Sequence, residues 1–93
     1  LHVDKGDFTA WTGKQAYVAF ATMVYAAESY GVDSTALEGI EFDEVDRLLD
    51  LDSKNETCQL IVLLGYRAAD DSNTTDKRPK SRLPLSYLTT YLN

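Results

Sequence analysis

Residues 9–30 constrain this chain more than any other segment. A long helix is predicted there, with Asp7 or Thr9 as its N-cap and Gly31 where a left-handed C-cap belongs. Its apolar residues (Trp11, Ala16, Tyr17, Val18, Phe20, Ala21, Met23, Val24, Ala26, Ala27) do not form one stripe but cover most of the circumference. A helix apolar nearly all round must be buried nearly all round. With 93 residues the chain is at most one small domain, too little material to surround such a helix. A partner surface is therefore expected.

The remaining segments supply little cover. Residues 32–39 read as a short extended piece ending at Gly39. Residues 42–49 predict a short helix, with Asp43 and Glu44 in the first turn, where the helix dipole favours anions, and Val45, Leu48 and Leu49 on one side. A polar loop spans 50–56. Residues 57–66 make the strongest strand, whose continuous apolar run predicts burial on both faces before Gly65 closes it. Residues 69–77 form a solvated loop. Residues 86–92 are β-prone and predict a terminal strand that needs a sheet edge, in its own subunit or another's. No internal repeat or low-complexity segment is present. The expected class is α+β, with too few strands to complete a sheet alone.

Charge narrows the function. Hydrophobic residues make up 44% and charged residues 26%, the balance of a folded chain rather than a disordered one. Fifteen acids against nine bases give a net charge of −6, which argues against general binding to nucleic acid or to anionic membranes. Yet no acid follows Asp76, and Lys77, Arg78, Lys80 and Arg82 crowd together between or beside two stiffening prolines, Pro79 and Pro84. Such cations repel one another unless an anion sits among them, so the cluster looks like a phosphate seat. On charge alone a solvated basic tail or a proteolysis-prone loop is the commoner case, and a docking peptide for an acidic or phosphorylated partner is a further alternative.

Other chemistry is thin. Cys58 is the only cysteine, so no internal disulfide exists, and it reads as a packed thiol. His2 is the only histidine, with Asp4 as its one nearby carboxylate, and no metal role is expected of it. Asp43, Glu44 and Asp46 lack the alternating pattern of a calcium loop and fit a helix start. No segment resembles a signal peptide or a membrane span, so a soluble, cytoplasmic protein is expected. The chain opens at Leu1 without a methionine, which points to upstream sequence.

The segments meet in a known order. Trp11, Lys14-Gln15 and Tyr17, then Gly31-Val32-Asp33-Ser34, Leu37-Glu38-Gly39, Leu64-Gly65-Tyr66-Arg67 and Pro79-Lys80-Ser81-Arg82-Leu83-Pro84 together resemble the C-terminal part of the FMN-dependent nitroreductase family. The likeness covers essentially the whole chain and is closest to the oxygen-insensitive NAD(P)H nitroreductase and dihydropteridine reductase branch. No single motif is specific; their succession is.

That resemblance implies FMN as cofactor. The amides of Glu38 and Gly39 would face the reactive edge of the flavin, with Ala36 and Leu37 packed along the ring. Lys80 and Arg82 would hold the phosphate, where arginine offers a planar fork and lysine a point charge. Lys77 and Arg78 become flanking solvated charges. Trp11, Tyr17, Tyr25 and Tyr30 are assigned to core and interface rather than to ring stacking. Ala36 stands where the branch has proline, and Ile40 where phenylalanine often follows the glycine. The family's N-terminal phosphate motif, and its central Asn and Lys, have no counterpart here. Residues 1–93 therefore read as the C-terminal portion of a single nitroreductase-like domain without its N-terminal half.

The implied protein is a homodimer whose flavin lies at the subunit interface. The long helix is part of that interface, and the tail crosses to the partner's sheet. The implied activity is ping-pong transfer of electrons from NAD(P)H to nitroaromatics, quinones or similar electron-poor acceptors. No acid–base catalytic residue is identified, and the chain alone is expected to be inactive. The alternative is a truncated, non-catalytic fragment or an interaction segment.

Overall fold

A computed structural model describes residues 6–93. The expectation for His2 lies outside the described residues. The element order is α1 (Phe8–Ser29), β1 (Asp33–Leu37), α2 (Phe42–Leu48), a single 3₁₀ turn (Asp52–Lys54), β2 (Ile61–Gly65) and α3 (Leu85–Leu88), an α+β arrangement.

Helix α1 starts with the Asp7 carbonyl accepting the Trp11 amide at 3.0 Å. It ends as Gly31 was expected to end it. Gly31 takes φ +70, its amide donates to Glu28, and the Val32 amide reaches back to Ala27 at 2.9 Å. This double closure satisfies the last carbonyls and turns the chain directly into β1. The hydroxyls of Thr12, Thr22 and Ser29 donate to carbonyls of their own helix, at Thr9, Val18 and Ala26.

Strands β1 and β2 pair antiparallel, from Asp33 opposite Gly65 to Leu37 opposite Ile61. A clasp closes the Asp33 end. The Arg67 amide and Nε donate to Oδ2 of Asp33 at 2.9 and 3.0 Å, and another guanidinium nitrogen donates to Oδ1 at 2.6 Å. A second carboxylate anchors the approach to β2. Asp46 on α2, only 6% exposed, accepts the Thr57 hydroxyl at 2.6 Å and the Cys58 amide at 2.7 Å. Left-handed Asp50 and Asn55 shape the loop between them, at residue types that tolerate that conformation.

Two expectations change. The strand is confined to Ile61–Gly65, because Asp46 ties down residues 57 and 58 before pairing begins. It is not covered on both faces: Leu63 and Leu64 are about half exposed. The tail forms a short helix at Leu85–Leu88 behind Pro84, and among the described residues no third strand offers it an edge. It returns to extended backbone at Thr89.

The interior is nearly absent. Ala27 is the one apolar side chain buried among the described residues. The accessible surface is 8310 Å², against roughly 5,400 Å² for a compact protein of this mass. The radius of gyration is 17.6 Å, where about 12 Å is usual for this length. Val18, Met23 and Tyr25 of α1 stand open to solvent.

Two outcomes follow from the carboxylates. Asp46→Ala orphans the Thr57 hydroxyl and the Cys58 amide, at about 1–3 kcal/mol for each donor left unpaired in a part-buried place. A lowered urea midpoint measures this, and Asp46→Asn, which keeps one acceptor, should lose less. Asp33 is held down to about 2 from 3.8, first by the Arg67 side-chain hydrogen bonds and then by its amide, with partial desolvation opposing. A depressed carboxylate contributes stability above its unfolded pKa and loses it as pH falls through the folded value. Hydrogen exchange at the Arg67 amide should therefore stay constant, after correction for intrinsic rates, from neutral pH to about 4. Protection should be lost between there and about pH 2, whereas in Asp33→Asn it is low at every pH.

Candidate functional site

The residues singled out in the sequence lie at two ends of the hairpin. Ala36 and Leu37 are the last residues of β1, paired with Val62 and Ile61. Glu38 and Gly39 follow directly. Leu37 is partly buried; Ala36, Glu38 and Gly39 are exposed. A side chain added at Gly39 would meet nothing within 4 Å, so its backbone is open to a flat group. Gly39 does not take a positive φ, and its value here is access rather than an unusual turn.

Helix α1 attends this end. Tyr17 lies edge-on to Phe20, with ring centroids 6.2 Å apart. Its hydroxyl is pushed above the ordinary phenol range, first by desolvation and then by the charge and hydrogen bonding of Glu38. Tyr17 therefore lies near enough to Glu38 to feel its charge, as well as serving the helix surface. Reading the helix by periodicity alone assigned it only to core and interface.

The other end of the hairpin opens into a cleft of about 670 Å³. Asp33, Ser34, Arg67, Thr74 and Lys80 are among its walls. Asp33 and Leu37 are separated by about 14 Å of strand, four steps of roughly 3.4 Å each. Lys80 and the Glu38–Gly39 turn thus address opposite ends of one short ladder.

The basic cluster divides. Lys80 lines the cleft, whereas Arg82 does not, and it donates instead to the Ser81 carbonyl at 2.8 Å. Lys77 is more than a flanking charge. Its Nζ donates to the Asp71 carbonyl at 2.9 Å, and the amides of Lys77 and Arg78 both close on Thr74. The loop before Lys80 is therefore folded on itself, helped by the Asn73 amide donating to Asp71.

Sequence reasoning missed the pairing of Asp33 with Arg67. Both residues stand in the family-like motifs, but 34 positions apart, and only the antiparallel register brings them together. Cys58 is half-buried, with its thiol 3.6 Å from the Leu60 carbonyl. Among the described residues no cluster of His, Cys, Asp and Glu is arranged to hold a metal, and no helix is long and apolar enough to cross a membrane.

Known proteins share this pattern. A model of the nitroreductase family matches residues 2–66. The oxygen-insensitive NAD(P)H nitroreductase of Enterobacter cloacae is 33% identical over 88 residues, covering 95% of this chain and 40% of the relative. The major NAD(P)H-flavin oxidoreductase of Aliivibrio fischeri is 29% identical over 90 residues, covering 96% of this chain and 40% of the relative. The oxygen-insensitive NAD(P)H nitroreductase of Salmonella typhimurium is 31% identical over 75 residues, 81% of this chain and 34% of the relative. The chain spans no more than 40% of the length of any of these three. The match runs from before α1 through β2, taking in the helix, the hairpin and the Glu38–Gly39 turn, and on that ground the chain belongs to the nitroreductase family.

Proposed function

We propose that this chain is the C-terminal portion of a cytoplasmic FMN-dependent oxidoreductase that passes electrons from NAD(P)H to nitroaromatics, quinones or similar acceptors. The observation that carries the reading is the family match through residues 2–66, which includes the Glu38–Gly39 turn. The names of the relatives, NAD(P)H nitroreductase and NAD(P)H-flavin oxidoreductase, support the same class of reaction.

The residues present fit a group with a flat ring at one end and a phosphate at the other. Gly39 leaves its backbone uncovered, and Leu37 offers an apolar side chain beside it. Glu38 and Gly39 would give backbone N–H groups to the ring edge, and Ala36 and Leu37 would pack along it. Lys80 would meet the phosphate from the cleft. Arg82 would join it by leaving the Ser81 carbonyl. When bound, FMN supplies a two-electron carrier that takes hydride from NAD(P)H and gives electrons to the acceptor in a separate half-reaction. The chain itself positions and shields; none of its side chains is assigned a proton-transfer step.

The exposed circumference of α1 supports a homodimer in which a second subunit covers that helix, with residues after Thr89 crossing to the partner. The surface in excess of a compact chain, roughly 2,900 Å² on one copy and so about 5,800 Å² on two, reaches the upper end of what obligate interfaces bury. The same exposure favours a second reading, in which this chain alone is a non-catalytic piece.

Absorbance separates the two readings. Purified protein with a flavin band supports the enzyme, and colourless material that takes up no added FMN supports the piece. In flavin-binding protein, Lys80→Ala combined with Arg82→Ala should weaken FMN at least tenfold by fluorescence titration, the order expected for losing charge-assisted contacts. Unchanged affinity would sink the phosphate assignment.

A further inference from the structure

The cleft that holds Lys80 carries more negative charge than positive. Glu28, Asp33 and Asp71 line it, against Arg67 and Lys80. A lysine sharing a cleft with three carboxylates is open to capture in a salt bridge, which would withdraw it from a phosphate. Lys80 nonetheless makes no ion pair and no side-chain hydrogen bond among the described residues.

Arg67 takes one of the three carboxylates out of competition. Its backbone amide and two guanidinium nitrogens are all given to Asp33, engaging both carboxylate oxygens. The charges of Asp71 and Glu28 add, after that of Asp33, to what keeps its guanidinium protonated. Asp71 Oδ1 is occupied separately, by the Asn73 amide. A lysine in place of Arg67 would lack the planar fork that holds both oxygens at once.

We propose that Arg67 keeps Asp33 from capturing Lys80: by clasping that carboxylate it leaves Lys80 free to meet a phosphate. This rests on the reading of Lys80 as a phosphate contact. Arg67 is thus a positioning residue, acting on the ligand through Lys80.

The test compares the affinities for FMN and for riboflavin, which shares the ring and ribityl chain and lacks the phosphate. Arg67→Gln should cut the preference for FMN about tenfold, the order of one charge-assisted contact. It should leave riboflavin affinity nearly unchanged. Adding Asp33→Asn to Arg67→Gln should restore most of the preference, because the freed carboxylate is gone. Equal losses for both flavins, or no rescue in the double variant, would overturn the proposal. If Arg67→Gln does not fold, the near-isosteric Asp33→Asn decides alone. It should keep or raise the preference for FMN, and a tenfold fall would count against the proposal.

Lys80→Ala reports separately on the underlying reading, since an unchanged FMN preference would remove Lys80 from the phosphate site. The role of Arg67 is still decided in that event by the acylation rate of the Lys80 amine in flavin-free protein. Arg67→Gln should slow it by drawing Lys80 to Asp33, and an unchanged rate would overturn the proposal.

Discussion

Asp46 accepts two hydrogen bonds from the segment that leads into β2, and the rest of the hairpin depends on them. A buried carboxylate costs stability unless its oxygens are satisfied. Here each oxygen has a partner from a different residue, a hydroxyl and a backbone amide. The connection thereby fixes where β2 begins. With residues 57 and 58 held, pairing starts at Ile61 and ends with Gly65 opposite Asp33, so that Arg67, two residues further on, reaches back to the Asp33 carboxylate. The second clasp is a consequence of the first. In a chain with almost no dry interior, directed polar contacts do work that packing does in larger domains.

The helix, its glycine closure, the extended piece and α2 were legible because each rests on local chemistry. Gly31 can take a positive φ cheaply, and acids at Asp43 and Glu44 suit a first turn. The strand was misjudged in extent and cover for a nonlocal reason. An apolar run such as Leu60 to Leu64 says that something should cover it, not whether the chain contains that something. The β-prone tail failed within the chain for the same reason, since no third strand offers an edge and Pro84 favours a helical turn instead. The candidate site residues Ala36, Leu37, Glu38, Gly39, Lys80 and Arg82 are singled out by motif order alone. The Asp33 clasp and the nearness of Tyr17 to Glu38 were not legible, because both depend on how elements fold back on one another.

The two halves of the candidate site differ in kind. At Gly39 the chain offers bare backbone and an apolar neighbour, which suits a flat ring and discriminates little by charge. At Lys80 it offers one cation in a setting rich in carboxylates. The hairpin between them acts as a spacer of set length, because the register holds both ends in place. A slip by one residue would turn every strand side chain to the other face. The clasp at Asp33 opposes such a slip from the end nearer Lys80.

The hydroxyls of Thr12, Thr22 and Ser29, turned inward onto carbonyls of α1, carry one more implication. Because they are already matched within the helix, whatever lies against α1 has no need to align donors and acceptors with them. Its alignment is then governed by relief: Trp11, Val18, Met23 and Tyr25 are knobs of unequal size spaced along a largely alanine-floored cylinder. Trp11, Val18 and Tyr25, seven residues apart and so nearly in line, must be seated by hollows of matching depth on one side, and Met23 on another, so the mould of the surrounding surface selects the register.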